Sequence, residues 1–219
     1  MISVVIPTLN AERLLPRCFD SLIIAAVRGV VREVIVADGG SGDGTLSIAD
    51  AAGAHIVAAG RSRGSQLRAG AQSARGDWLL FLHPETALEP GWEVEVESFL
   101  HQARPEQPQA AVFRFALEEF GAPARRAEAR AAMRSWLLAL PYGDQGLLVP
   151  RRLYNKLGGY RDLQRFEDAD LIRRIGRRRL VTLRGRAVNS GRSRKGWLKP
   201  FALSLLHALR VPAGVLAKL

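Results

Sequence analysis

Cysteine is almost missing from this chain. Cys18 is the only one in 219 residues, so no disulfide can form within the chain, and a reducing compartment is expected. No run of 18 apolar residues is free of charge, which predicts no membrane-spanning helix. The opening Met1-Ile-Ser-Val-Val-Ile6 has no basic segment before Pro7, so no secretory leader is expected and the expected location is cytoplasmic. Lysine does not occur before Lys156, which excludes a phosphate loop of the Walker kind. The glycines Gly40, Gly42 and Gly44 miss the Gly-x-Gly-x-x-Gly dinucleotide spacing, and they follow the second strand rather than the first. No internal repeat occurs, and no linker is long enough to force two domains.

The chain does have enough apolar material for a sizeable core, with 47% hydrophobic residues. Its net charge of +11 is unevenly spread. Residues 1–150 carry 14 Arg against 17 acids, whereas residues 151–219 carry 18 Lys and Arg against 4 acids. That asymmetry points to an anionic partner for the last third, or to a solvated basic face. Nucleic acid is not the expected partner, because the basic region has no interleaved aromatics and no recognition motif.

Apolar runs and helical spacings alternate through the first half. Strands are expected at Ile2–Pro7, Glu33–Ala37, His55–Ala58 and Trp78–Leu82, and helices at Glu12–Arg28, Thr45–Ala52, Ser65–Ala74 and Glu93–Gln102. Such alternation implies βαβ units and a parallel sheet. Further on, Ala110–Glu118 reads as a strand in antiparallel pairing, Arg125–Leu140 as an amphipathic helix, and Gly146–Pro150 as a short strand. Arg151–Leu157 and Ala169–Arg178 read as helices and Leu180–Leu183 as a strand. The expected class is α/β, a single domain with a mixed, mainly parallel sheet flanked by helices. The stretch Gln102–Gln109, with two prolines, marks the boundary between its halves.

Carboxylates and small polar groups cluster where the strands end. Ligands bind at the carboxyl ends of strands in such sheets. The first strand ends at Pro7-Thr8-Leu-Asn10, the second at Asp38 before a glycine-rich turn, and the fourth at His83-Pro84-Glu85. Each can equally be ordinary turn chemistry. Glu85 can supply one oxygen to a hard divalent cation, which binds one or two carboxylates and substrate phosphates. His83 suits Mn²⁺ better than Mg²⁺. Pro141-Tyr-Gly-Asp144-Gln145 can present Asp144 and Gln145 to a hydroxylated acceptor. Glu167 and Asp168 stand before a helix, where acids favour the N-terminus in any case; a general base is the functional alternative.

Taken as an ordered set, these segments resemble a family 2-type glycosyltransferase of the GT-A fold. Val4–Asn10 resembles its opening strand, and Glu33–Thr45 its nucleotide-binding turn. Gly60-Arg-Ser-Arg63 through Asp77 resembles the helix leading into the metal-site strand, and Glu167-Asp168 the catalytic acid pair. Phe-Leu-His83-x-Glu85-Thr, Gly-Asp144-Gln145 and Leu-Gly-Gly-Tyr160 look closest to the short selenodomain-associated transferases. The resemblance implies a nucleoside-diphosphate sugar donor, with Pro7, Thr8, Asn10, Asp38, Arg63 and His83 on the donor side. It implies Mg²⁺ or Mn²⁺ on Glu85, and Asp168, paired with Glu167, as the base of an inverting displacement. It divides the chain into a nucleotide-sugar half at 1–104, an acceptor half at 105–196 and a tail at 197–219. The family usually has Asp-x-Asp where this chain has His83-Pro84-Glu85, and commonly Asn where it has Arg68.

Two other classes compete. One is a non-catalytic nucleotide-sugar-binding protein with a degenerate metal site. The other is a nucleotidyltransferase, which wants a glycine-rich loop with Arg and Lys after the first strand; Pro7–Arg13 has neither. The tail, with Trp197 and flanking cations, suits a membrane interface, where each Lys or Arg adds about 1 kcal/mol. One expectation is therefore a peripheral place on the inner membrane face, with a lipid-linked acceptor. The other is a helix packed on the core or in a homodimer interface.

Overall fold

The computed structural model describes residues 1–118, 143–163 and 165–190. The helix expected at Arg125–Leu140, the residues Pro141 and Tyr142, Arg192, Arg194 and the tail 197–219 lie outside the described residues.

Four strands alternate with helices as expected. They are β1 (Ile2–Thr8), β2 (Val31–Asp38), β3 (His55–Ala58) and β4 (Trp78–Phe81), with α3 (Thr45–Ala51) and α4 (Arg63–Ser73) as crossovers. β1 pairs in parallel with β2 and β4, and β2 with β3. Every residue of β1 is buried, because helices cover both faces of the sheet at this strand. The two-residue period then divides the core. Val4, Ile6, Leu80 and Leu82 pack with Leu15, Trp92 and Phe113 on one face. Val5, Ile35, Leu79 and Phe81 pack with Leu67, Leu147, Tyr160 and Leu171 on the other.

The second half adds β5 (Thr86–Leu88), α5 (Trp92–Gln102), β6 (Ala110–Leu117), β7 (Leu147–Pro150), α6 (Arg151–Lys156), α7 (Glu167–Ile175) and β8 (Leu180–Asn189). One eight-stranded sheet results, in the order β3-β2-β1-β4-β7-β6-β8-β5. β7 runs against β4 and β6, and β5 runs against β8, so six strands point one way and two the other. The sheet is therefore mixed and mainly parallel. α7 returns from the carboxyl edge of β4 towards the start of β8, and this brings its first turn beside His83.

Four local expectations are corrected. Glu12–Arg28 is not one helix but α1 (Leu15–Asp20) and α2 (Ile23–Val27). The break falls at Ser21, whose carbonyl accepts a 2.9 Å bond from the Trp92 indole and whose hydroxyl donates to the Cys18 carbonyl. β6 is antiparallel only to β7; it is parallel to β8. β8 is not confined to Leu180–Leu183 but continues through Arg184-Gly185-Arg186 to Asn189. Its register shifts there, and Glu95 of α5 fills the irregularity by accepting from the Arg184 and Gly185 amides at 2.6 and 2.8 Å. α7 starts at Glu167, two residues earlier than expected, so both acids lie within its first turn.

Candidate active site

The first group of site residues is built where β1 and β2 end together. Thr8 and Asp38 are register partners, and the Thr8 hydroxyl donates to Asp38 Oδ1 at 2.8 Å. Asp38 Oδ2 accepts from the Gly40 and Ser41 amides, both at 2.8 Å, and the Ser41 hydroxyl donates to Oδ1. Burial opposes charge on Asp38, but these bonds from Ser41, Thr8 and Gly40 outweigh it and hold the carboxyl below its usual range. Pro7 is buried in β1 just before Thr8. Asn10 ties the two turns together. Its amide donates to Ser41 Oγ and its side-chain oxygen accepts from Gly42 N, both at 2.8 Å. It holds a φ of 54°, a left-handed conformation that asparagine tolerates better than most residues.

The second group gathers where β4 stops. Leu82 N still donates to Val5 O, and then Pro84 ends the ladder. Thr86 N closes the turn onto His83 O at 3.0 Å, leaving His83 and Glu85 side by side. His83 Nδ1 lies 3.6 Å from Glu85 Oε1, and Nε2 lies 3.7 Å from Asp168 Oδ2. One buried imidazole thus stands between two carboxylates. Burial and the nearby Arg63 oppose charge on His83, yet Asp168 and Glu85 push it up to about 9. Burial likewise opposes charge on Glu85, but His83 and Arg63 bring it down to about 2. Asp168 is also lowered, against burial, by His83, Arg63 and Tyr160. Glu167 goes the other way: burial, then the charge of Asp168, push it up.

Arg63 bridges the two sides of this group. Its guanidinium is 3.6 Å from Glu167 Oε1 and feels Glu167, Asp168, Glu85 and Asp144, in that order. A strap holds the two helix starts together. The Ser62 hydroxyl donates to Asp162, and Gly64 N donates to Leu163 O at 3.2 Å. Only glycine fits at 64, because a Cβ there would lie 2.1 Å from Arg161 O. Asp144 is anchored from behind: its carbonyl accepts from Asn189 Nδ2, and Asn189 Oδ1 accepts from the Thr86 hydroxyl, both at 2.7 Å. Gln145 is turned inward, 2% exposed, with its amide donating to Phe113 O. The structure therefore gathers Arg63, His83, Glu85, Asp144, Glu167 and Asp168, beside Thr8, Asn10 and Asp38.

The donor set can be tested against a divalent cation. Glu85 is ionised and 19% exposed, and His83 Nε2 is buried without a hydrogen bond. One open carboxylate fits a cation whose other ligands are phosphate oxygens. Among the described residues no three His, Cys, Asp or Glu side chains converge as a complete cage.

The sequence model of Glycosyl transferase family 2 matches residues 3–140. The chain belongs to this family. The matched span includes Thr8, Asn10, Asp38, Arg63, His83 and Glu85; Asp144, Glu167 and Asp168 lie beyond it. A "PGL/p-HBAD biosynthesis glycosyltransferase" from Mycobacterium bovis is 33% identical over 113 residues, covering 48% of this chain and 43% of that protein. The matched stretch is thus less than half the length of that relative. Glucosyl-3-phosphoglycerate synthase from Mycobacterium tuberculosis, in complex with Mn²⁺, UDP and glucosyl-3-phosphoglycerate, superposes with a TM-score of 0.65 at 22% identity. That match covers 97% of this chain and 81% of the synthase. TarS 1-349 from S. aureus gives a TM-score of 0.65 at 16% identity, over 85% of this chain and 60% of that one. The chain has the GT-A fold.

Two contacts of this family member escape sequence reasoning. Ser41 reads only as a turn residue, yet it gives Asp38 two of its bonds. The buried Tyr160 hydroxyl donates to Asp168 Oδ1 at 2.8 Å. The one sequence signal for Tyr160 is the Gly158-Gly159 pair before it.

Proposed function

We propose that the enzyme transfers a sugar from a nucleoside-diphosphate donor to a hydroxyl acceptor, with inversion and with a divalent metal. The observation that carries this reading is the row Glu85–His83–Asp168, two ionised carboxylates on either side of one imidazole at the carboxyl edge of β4. Thr8, Asn10 and Asp38 form the nucleoside end of the cleft. Glu85 would hold Mg²⁺ or Mn²⁺, which when bound offsets charge on the diphosphate. Asp168 accepts the proton of the acceptor hydroxyl at a carboxylate oxygen. The freed oxygen attacks the anomeric carbon from the face opposite the diphosphate, and the bond from that carbon to the diphosphate oxygen breaks. Arg63 and His83 place positive charge where the leaving group gains negative charge. Asp144 is the acceptor-side acid, and Gln145 braces its turn.

Thermal-shift measurements with nucleotide sugars, each with Mg²⁺, Mn²⁺ or EDTA, test the reading. A ligand at one hundred times its dissociation constant stabilises by about 2.7 kcal/mol. A metal-dependent shift for at least one donor is expected; metal-independent binding of every donor that binds would overturn the metal part.

A second element concerns where the enzyme works. Arg152, Arg173, Arg177, Arg178 and Arg179 are exposed and enter no ion pair among the described residues. They favour weak attachment to an anionic membrane surface, which would suit a lipid-linked acceptor. Failure to co-sediment with anionic vesicles at low salt would remove this element and leave the transfer chemistry standing.

A further inference from the structure

The proposed base has a buried partner that the transfer scheme above does not use. The geometry points to Tyr160 as the positioning residue of Asp168: its hydroxyl fixes one carboxylate oxygen and leaves the other for the acceptor proton. This inference rests on the reading of Asp168 as the base.

Tyr160 is held firmly from several sides. It is fully buried. Its ring meets Phe81 edge-on at 4.9 Å and lies 6.0 Å from the Tyr154 ring. Its amide donates to the Tyr154 hydroxyl at 3.0 Å. The chain approaches through Gly159, at φ 63°, where a Cβ would lie 2.8 Å from the Tyr154 ring. Only glycine permits that conformation and that closeness together. The phenol therefore has one orientation, with the hydroxyl donating 2.8 Å to Asp168 Oδ1.

The carboxylate is held from the other end as well. Asp168 sits in the first turn of α7, entered through Phe166 at φ 64°. A bulky residue in the left-handed region costs energy and persists only where its surroundings demand it. Oδ1 is occupied by Tyr160, while Oδ2 faces His83 Nε2 at 3.7 Å, too far for a hydrogen bond. The two oxygens are thereby made unequal. Tyr160 does not act as an acid itself, since burial and then the Asp168 charge raise its phenol well above the usual value. What it supplies is orientation, which matters because a base must lie within hydrogen-bond reach of its proton.

The experiment compares Tyr160→Phe with Tyr154→Phe. Both remove one buried hydroxyl from the same aromatic cluster, and only the first touches Asp168. The assay is Mn²⁺-dependent release of UDP from UDP-glucose, with water standing in for the acceptor hydroxyl. Crystal structures of both variants accompany it. Tyr160→Phe is expected to lower kcat roughly ten- to one-hundredfold, the effect of one hydrogen bond to a charged group. KM for UDP-glucose should stay within about twofold, and the Asp168 carboxylate should turn from its place. Tyr154→Phe should lose stability and keep kcat within about threefold. The inference is overturned if Tyr160→Phe keeps the wild-type kcat, or if both variants lose kcat in step with Tm. Should wild-type turnover be too slow to follow, an unmoved Asp168 carboxylate in the Tyr160→Phe structure overturns it as well. Full turnover in Asp168→Asn would instead strike the reading of Asp168 as the base.

Discussion

The two groups that line the carboxyl edge of the sheet are made differently. Around Asp38 the contacts are short: four hydrogen bonds from Thr8, Gly40 and Ser41, none longer than 2.8 Å. Around His83 they are long: Glu85 at 3.6 Å, Asp168 at 3.7 Å, and Arg63 to Glu167 at 3.6 Å. The first group commits its carboxylate to the protein's own loops, so it fixes the shape of the turns that end β1 and β2. The second balances charges without closing hydrogen bonds between them, which leaves lone pairs and protons open for the chemistry proposed above. Damage to the first should show as lost stability, and damage to the second as lost turnover.

The largest expected effect is that of Asp168→Asn. The amide keeps the volume and can still accept from Tyr160, but it cannot take a proton. Sugar transfer should fall by on the order of a thousandfold, the usual scale of a general base, with donor binding retained in the thermal-shift measurement. Transfer at the wild-type rate would break the comparison at its centre. Glu85→Ala comes next. It should erase the metal-dependent part of the donor-induced shift in Tm while the apo protein stays folded; an undiminished shift would place the cation elsewhere.

Asp38→Ala tests the other side. It strands the Thr8 and Ser41 hydroxyls and two amides, and should cost about 2–3 kcal/mol in urea unfolding. A loss no larger than that of Glu85→Ala would remove the distinction between the groups. The smallest effect is one of pH. His83 has a folded value of about 9, raised from 6.5, so the folded state holds a proton that the unfolded chain gives up. Its contribution is complete below pH 6.5 and is lost as the pH rises through 9. In EDTA, stability should fall between pH 7 and 9 by on the order of 1 kcal/mol or more. His83→Gln should flatten that slope; an unchanged slope in the variant would assign the titration to another group.

Much of residues 1–104 is legible in the sequence, because β1, β2 and β4 are apolar runs stopped by Pro-Thr, Asp-Gly and His-Pro. The acids Asp38, Glu85 and Asp168 can be singled out for the same reason: each stands where an apolar or periodic segment starts or stops. What escapes is whatever depends on distant partners. The break between α1 and α2 needs the Trp92 indole, 71 residues from Ser21. The second half of β8 hides behind three residues of loop-like composition, and its irregularity is satisfied by Glu95 from α5. β5 has only three residues, too few for a periodicity to register. Arg63 beside Glu167 and Tyr160 beneath Asp168 are products of packing, invisible to any local pattern.

The strap between α4 and the segment before α7 sets the order in which the candidate site is completed. Ser62 and Asp162 stand 100 positions apart, so their contact closes a long loop and its entropic cost must be met by the sheet that forms between them. A chain synthesised from its N-terminus carries Thr8, Asp38 and Glu85 well before it carries Asp168. The growing polypeptide can therefore shape the ends of β1 and β2 early, whereas the proposed base comes only with the last third, to be gripped by Ser62 and Gly64.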